Sequence, residues 1–271
     1  MGGLVKNLGA ILFAALSIGC GTTACAGPLA INLGTAASFA VLAGSTVTNT
    51  GSSVITGNLG VWPGMSATGF PPGMILDGNA YINDAFAMEA QSDALTAFNT
   101  AAGETGGQSL TGQNLGGLTL TPGVYSFSSS ADLTGALTLN AENTQNAVFV
   151  FQIGSTLTTA AGSLISFING QSDDVIWEVG SSATLGAGSS FEGDILALTS
   201  ITLDSGAAIS CGGVIALTGA VTMDSNTVSN DGAACGAGSA PIPEPAPIFV
   251  LSAACSMLAV LRMRPQRPSF P

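Results

Sequence analysis

The sequence predicts an all-β-dominated fold, a parallel β-solenoid of roughly triangular cross-section with one long flanking α-helix. Three observations carry this. A period of 18 to 20 residues runs through the second half of the chain, each repeat holds three short β-like pieces separated by Gly or Ser, and the side chains are small and rarely charged. Periods of this size mark solenoids, because a single coil cannot bury its own apolar side and stacking buries it for all of them.

Composition narrows the functional classes before any motif is read. Of 271 residues 46% are apolar and only 7% charged, and glycine supplies 37, about twice its usual share. There are 16 acids against 4 bases and no histidine. Lys6, Arg262, Arg264 and Arg267 are the only cationic side chains, and all lie in the end segments. Nucleic acid is therefore excluded as a partner, since phosphate binding draws its affinity from clustered Lys and Arg. Chemistry that needs an imidazole, a Schiff-base lysine or an arginine clamp is excluded as well.

Residues 1–26 carry one Lys, an apolar run from Leu8 to Ile18 and the small-residue pattern Ala24, Cys25, Ala26. They read as a secretory signal peptide cleaved after Ala26. A lipoprotein signal ending at Cys20 is the rival, with Ser17 standing where such signals place an aliphatic residue. Residues 27–235 then form the β-solenoid domain.

Near its start, Thr46, Val47, Thr48 follow Gly44 and Ser45. Between these early strands and the late ones, Ile82, Phe86, Leu95 and Phe98 fall at mostly helical spacing. This predicts an amphipathic helix over about residues 77–102, with Asp77, Asp84 and Glu89 toward its positive end and Gly103 as its stop. The apolar stripe is packing against one wall of the solenoid, and no cofactor need be invoked.

The repeat itself is direct. Gly193–Thr199 (GDILALT) recurs nineteen residues later as Gly212–Thr218 (GGVIALT). Val175–Ser181 (VIWEVGS) matches Phe149–Ser155 (FVFQIGS), the longer spacing being absorbed around Asn169 to Asp173. One piece aligns in five coils: Ala136–Leu139, Thr156–Thr159, Ser182–Leu185, Ser200–Leu203 and Ala220–Met223, with Thr46–Thr48 as a sixth rung. Strand alternation turns Leu137, Leu157, Ala183, Ile201 and Val221 inward, and Thr138, Thr158, Thr184, Thr202 and Thr222 outward.

Stacked rungs are about 4.8 Å apart and alternate outward residues about 6.7 Å, so the threonines and their small partners make a two-dimensional lattice. Each threonine offers a hydroxyl and a methyl with restricted rotamers. Such a surface can hold water in fixed positions. Outward Thr ladders also occur for strand stability alone, and the pattern by itself leaves both readings open.

Catalysis fares poorly. Asp173 with Asp174, and Glu192 with Asp194, are the close carboxylate pairs of the late coils. Glycoside hydrolysis needs two carboxyls at a defined separation, and lyases on such folds usually need a basic residue, which is missing. The pairs read as solvated turn residues, with no calcium-loop pattern around them. No enzyme activity, cofactor or metal site is expected. Cys211 and Cys235 remain once the end segments are set aside, either as a disulfide or as two separate buried thiols.

Residues 236–245 form a Pro-rich linker, and residues 246–271 an apolar stretch from Ala246 to Leu261 followed by the three arginines. With Pro243, Glu244 and Pro245 ahead of it, this tail resembles the PEP-CTERM sorting signal of Gram-negative, polysaccharide-producing bacteria. The resemblance implies export, transient membrane contact through the tail before its removal, and an exopolysaccharide matrix as a second candidate partner.

A second resemblance covers Leu33 to Asn230. Leu33–Ala36 with Phe39–Ala43, Thr56–Val61, Thr68–Phe70, Pro122–Tyr125 and the two repeats beginning at Gly193 and Gly212 match, in order, the β-solenoid ice-binding (antifreeze) proteins of polar bacteria, yeasts, fungi and diatoms. The family implies a right-handed solenoid whose flat face takes an ice crystal surface as partner. In regular members that face carries a Thr, small, any, Thr or Asn pattern. Thr199 to Thr202 fits it, Ser181 to Thr184 fits with Ser first, and Thr218 to Thr222 and Thr134 to Thr138 fit with one extra residue. The ice-binding residues so implied are Thr46, Thr48, Ala136, Thr138, Thr156, Thr158, Ser182, Thr184, Thr199, Ser200, Thr202, Thr218, Ala220 and Thr222. Two departures are Asn58, where an Asp is usual, and Gly213, in place of a larger residue.

Overall fold

A computed structural model describes residues 30–170 and 174–230. The expected signal peptide, the linker, the C-terminal tail and Cys235 lie outside the described residues. What is described is three parallel sheets, one α-helix and a short 3-10 helix at Gly34–Ser38. Seven successive coils each give one strand to each sheet, in the spatial order 123–140, 148–168, 174–192, 194–210, 214–229, 39–56 and 58–76. We label as sheet A the nine-stranded sheet containing Val148–Ile153, as sheet B the seven-stranded one containing Leu157–Thr159, and as sheet C the eight-stranded one containing Leu164–Ile168.

The spatial order differs from the chain order at one seam. The first complete coil of the chain stacks on the last, with Val41 beside Val214, Val47 beside Val221 and Val54 beside Thr227. Close approach here explains Gly213, since a Cβ at that position would sit 2.6 Å from the Phe39 carbonyl oxygen. Asn230 ties the seam from the other side, its amide Nδ2 donating to the Ala37 carbonyl at 3.0 Å. At the corner between sheets B and C, buried Asn226 spans three coils. Its Nδ2 donates to the Asp204 and Ala207 carbonyls at 2.8 and 3.1 Å, and its backbone N–H donates to Ser53 Oγ at 2.9 Å.

Inward side chains from all three sheets form one continuous core. Its stiffest part is a column of rings on successive rungs. Phe151 and Trp177 stack at 3.8 Å and 5°, Tyr125 lies 5.4 Å from Phe151, and Phe191 reaches Trp177 from sheet C at 4.9 Å. Such aromatic contacts add to the gain from burial alone.

The helix spans Ala85–Gly103, with the Asp84 side chain accepting from the Ala87 N–H as its N-cap. It starts later than the sequence suggested, because residues 77–84 turn out of the last coil and begin one more pass along sheet A. Asp77 and Asn83 take left-handed turn conformations (φ of 51° and 52°), and Ala80–Ile82 forms an edge strand of sheet A. The buried stripe also differs. Ala87, Ala90, Ala94, Ala97, Phe98 and Ala101 face inward, whereas Leu95 is 47% exposed and Phe86 36%. Alanine lets a helix axis lie close to a sheet, and Ala90, Ala94, Ala97 and Ala101 share a cluster with Leu42, Val150, Ile176, Leu196 and Ile215 on the outer side of sheet A. Gln91 Nε2 donates to the Ala216 carbonyl (3.2 Å) and Gln152 Nε2 to the Ala101 carbonyl (2.8 Å), pinning the helix along that face.

Two carboxyls on sheet A are held away from their ordinary range. Burial pushes Glu178 up to about 7, against a hydrogen bond from the Ile153 backbone, and pushes Asp194 up to about 7, against the Gly213 N–H it accepts at 2.7 Å and with Asp174 adding repulsion. Asp174 and Glu192 are raised by burial too. Asp174, Glu192 and Asp194 are thus not the solvated turn residues the sequence suggested, and Asp173 lies outside the described residues. Gly193, at φ 95°, turns the chain sharply between Glu192 and Asp194 and leaves both partly enclosed.

Two outcomes follow from these contacts. Asn226→Ala strands several buried backbone groups and should lower the unfolding free energy by about 3 kcal/mol in urea titration; a loss under about 0.5 kcal/mol would contradict the bracing role. Because folding disfavours the ionised forms of Glu178 and Asp194, their penalty is full above about pH 7 and is relieved as pH falls through 7 toward their ordinary range. The melting temperature should therefore rise between pH 8 and pH 5.5, where proteins stabilised by ionised carboxylates stay level or lose stability. Glu178→Gln should flatten that rise.

Candidate functional site

Sheet B carries the most regular outward surface of the three. Its strands, Ala131–Leu133, Leu157–Thr159, Ala183–Leu185, Ile201–Leu203, Val221–Asp224, Thr46–Thr50 and Ser66–Thr68, keep one register throughout. Leu157, Ala183, Ile201, Val221 and Val47 are buried beneath them. The residue after each of these, and after partly buried Ala67 on the last strand, points out, which sets Thr158, Thr184, Thr202, Thr222, Thr48 and Thr68 in one column across the seam.

Beside that column runs a second one, two residues earlier on each strand: Thr156, Ser182, Ser200, Ala220, Thr46 and Ser66, with Ser130 beyond Thr156. The two columns differ in hydrogen bonding. Thr156 Oγ1 donates to Ser130 Oγ at 2.8 Å, and Ser182 Oγ and Ser200 Oγ accept from the Ser200 and Ala220 N–H groups at 3.4 and 3.3 Å. By contrast, none of the six column hydroxyls from Thr158 to Thr68 has a protein partner among the described residues. Burial beneath fixes the strand, β-branching restricts χ1, and the hydroxyl remains for solvent.

Most of the sequence-derived residues meet on this face, and three do not fit as expected. Ala136 and Thr138 belong to sheet C, where they pair with Leu164 and Ser166. The true offset between these coils is 26 residues, with Gly123 beside Phe149, because residues 141–147 lengthen the connection. The sheet B rung of that coil is Ala131, Asp132, Leu133, which places an exposed carboxylate in line with Thr158. Thr218 is the extra residue of its turn and lies off the lattice, its Oγ1 donating to the Leu198 carbonyl at 2.6 Å. Gly219 takes the place in line with Thr199, where a Cβ would sit 2.3 Å from Ser200 Oγ. Thr199 itself borders the face, 3.3 Å from Ser181 Oγ.

Sequence reasoning missed Ser66 and Thr68. The signal was present, since Ser66, Ala67, Thr68 repeats Ser182, Ala183, Thr184.

The other two sheets offer no comparable surface. The helix covers the outer side of sheet A. Outward positions on sheet C mix exposed Leu164, Ile168, Met74 and Leu76 with Glu192 and Asn140. A depression of ≈ 320 Å³ lies on the coil insertions, lined by Asn143, Thr144, Gln145, Asn169 and Gly170, and none of these residues titrates. Among the described residues no group of three or more His, Cys, Asp or Glu could hold a metal. Cys211 is half-buried in a left-handed turn (φ 54°), and Cys235 lies outside the described residues.

Known proteins share this architecture. An ice-binding protein of Nostoc sp. is 57% identical over 198 residues, covering 73% of each chain. The crystal structure of an ice-binding protein from an Antarctic biological consortium superposes with a TM-score of 0.70 at 47% identity, over 73% of this chain and 90% of that one. Another, from the Antarctic ascomycete Antarctomyces psychrotrophicus, gives 0.70 at 40% identity, over 74% and 98%. These relatives are named as ice-binding proteins, not as enzymes. The Ice-binding-like family model matches residues 41–229, and the chain belongs to that family.

Proposed function

We propose that this protein binds ice through the outer face of sheet B and thereby slows ice growth or recrystallisation. The observation that carries the reading is the column Thr158, Thr184, Thr202, Thr222, Thr48 and Thr68, whose hydroxyls have no protein partner among the described residues. Rungs about 4.8 Å apart repeat one chemistry over the width of several water layers. Hydroxyls hold water in place, and the methyls between them leave neighbouring water caged rather than bonded. A rigid array spends little entropy on ordering itself when it adsorbs. Thr46, Thr156, Ser182, Ser200 and Ala220 are the small partners of the column, and Thr199 forms its border.

In this reading the coils follow a right-handed path of roughly triangular section, the helix flanks one wall, and sheet B is the flat wall left open. The protein is exported, guided by residues 1–26, and reaches the cell surface or its surroundings with the PEP-CTERM-like tail as a sorting address. That tail also favours a second reading, a place in an exopolysaccharide matrix, which is compatible with ice binding.

The purified protein should shape ice crystals and open a gap between freezing and melting points. Thr202→Tyr and Thr184→Tyr, each placing a bulky ring in the middle of the face, should close that gap with the melting temperature of the fold unchanged. A wild-type protein that leaves ice growth unaltered, or tyrosine variants that keep full activity, would overturn the assignment.

A further inference from the structure

We propose that Asp132 sets one end of the ice-facing lattice, so that the threonine column stops at Thr158, one rung short of the edge of sheet B, because of charge. The inference rests on the assignment of sheet B as the ice-binding face and extends it to the residue that limits its size. The rung that carries Asp132 is built like the threonine rungs. Ala131 and Leu133 are buried on either side of it, 0% and 1% exposed, as Leu157 is beside Thr158. Ala131 pairs with Leu157 and Asp132 with Thr158 in the register of the rest of the sheet. In the neighbouring column Ser130 continues the row, accepting from Thr156 Oγ1. Backbone support extends one rung further, since Asn114 bridges to Asp132 and the Leu115 N–H donates to the Asp132 carbonyl at 2.9 Å.

Only the outward side chain breaks the pattern. Asp132 is exposed, and its carboxylate accepts no hydrogen bond among the described residues. Asn114, the neighbour of Asp132 on the side away from Thr158, is turned aside, its Oδ1 accepting from the Gly116 and Thr134 N–H groups at 2.8 and 3.1 Å. The carboxylate therefore has solvent as its partner. Ice cannot supply that solvation, because a carboxylate only accepts hydrogen bonds and its hydration shell must be broken where a lattice plane meets it. A threonine at the same place would offer the hydroxyl and methyl of the other six. Sheet B has no further strand beyond either Ala131–Leu133 or Ser66–Thr68, but at the far end the last strand already carries a threonine, so there only backbone limits the lattice.

The test compares wild type, Asp132→Thr, Asp132→Asn and a control, Glu89→Gln, which removes a charge from the exposed side of the helix. Hysteresis and melting temperature are read at equal concentration of folded protein. Asn matches Asp in size and in poor strand propensity, so it isolates charge from fold. The expected result is that Asp132→Asn raises the hysteresis, Asp132→Thr raises it further, to about twice the wild-type value as desolvation of the carboxylate is removed, and Glu89→Gln leaves it unchanged. Equal or lower activity of both Asp132 variants beside an active wild type would overturn the proposal, as would a matching gain from Glu89→Gln. An inactive wild type that Asp132→Thr leaves inactive would instead sink the ice-binding assignment itself.

Discussion

The backbone seam between residues 39–56 and 214–229 is the contact on which the outer face depends. Without it, the threonines of the late coils would end at Thr222, and Thr48 and Thr68 would belong to a separate two-coil fragment too small to bury its own core. Parallel pairing in all three sheets closes the seam, and its register is fixed by Val41, Val47 and Val54 lying beside Val214, Val221 and Thr227. Glycine at position 213 permits the approach, and Asn226 and Asn230 hold it. The column is continuous in space although its members come from opposite ends of the domain.

Register then decides chemistry. A strand with period two buries every second residue, so a one-residue slip would exchange leucine for threonine along the whole face. The ring column of Tyr125, Phe151 and Trp177 and the apolar residues beneath sheet B make such a slip very costly. The helix contributes by exclusion. Its alanine face covers the outer side of sheet A, whose Leu42, Val150, Ile176, Leu196 and Ile215 would otherwise form an exposed apolar wall.

Much of this was legible in the sequence because it is local or periodic. The repeat, the inward and outward alternation from Thr156 to Met223 and the likeness of Thr46–Thr48 to the later rungs all lie in the order of residues. What escaped depended on distances that only folding sets. Ala136–Leu139 imitates the threonine rung, yet the longer connection at 141–147 shifts it to sheet C, and the rung that takes its place is disguised by Asp132. The helix stripe was misjudged because size, not hydrophobicity alone, selects the face against a sheet: alanines went in and Leu95 stayed out. The carboxyls of Glu192 and Asp194 looked like open turn residues, and only stacking encloses them.

A threonine column that recognises ice as a surface should carry the protein into the growing crystal. The most direct measurement is partition of the purified protein into a slowly growing ice hemisphere, beside an inert protein of similar size and charge. This protein should be enriched in the ice fraction while the inert protein is pushed into the remaining liquid. Equal exclusion of both would contradict that recognition.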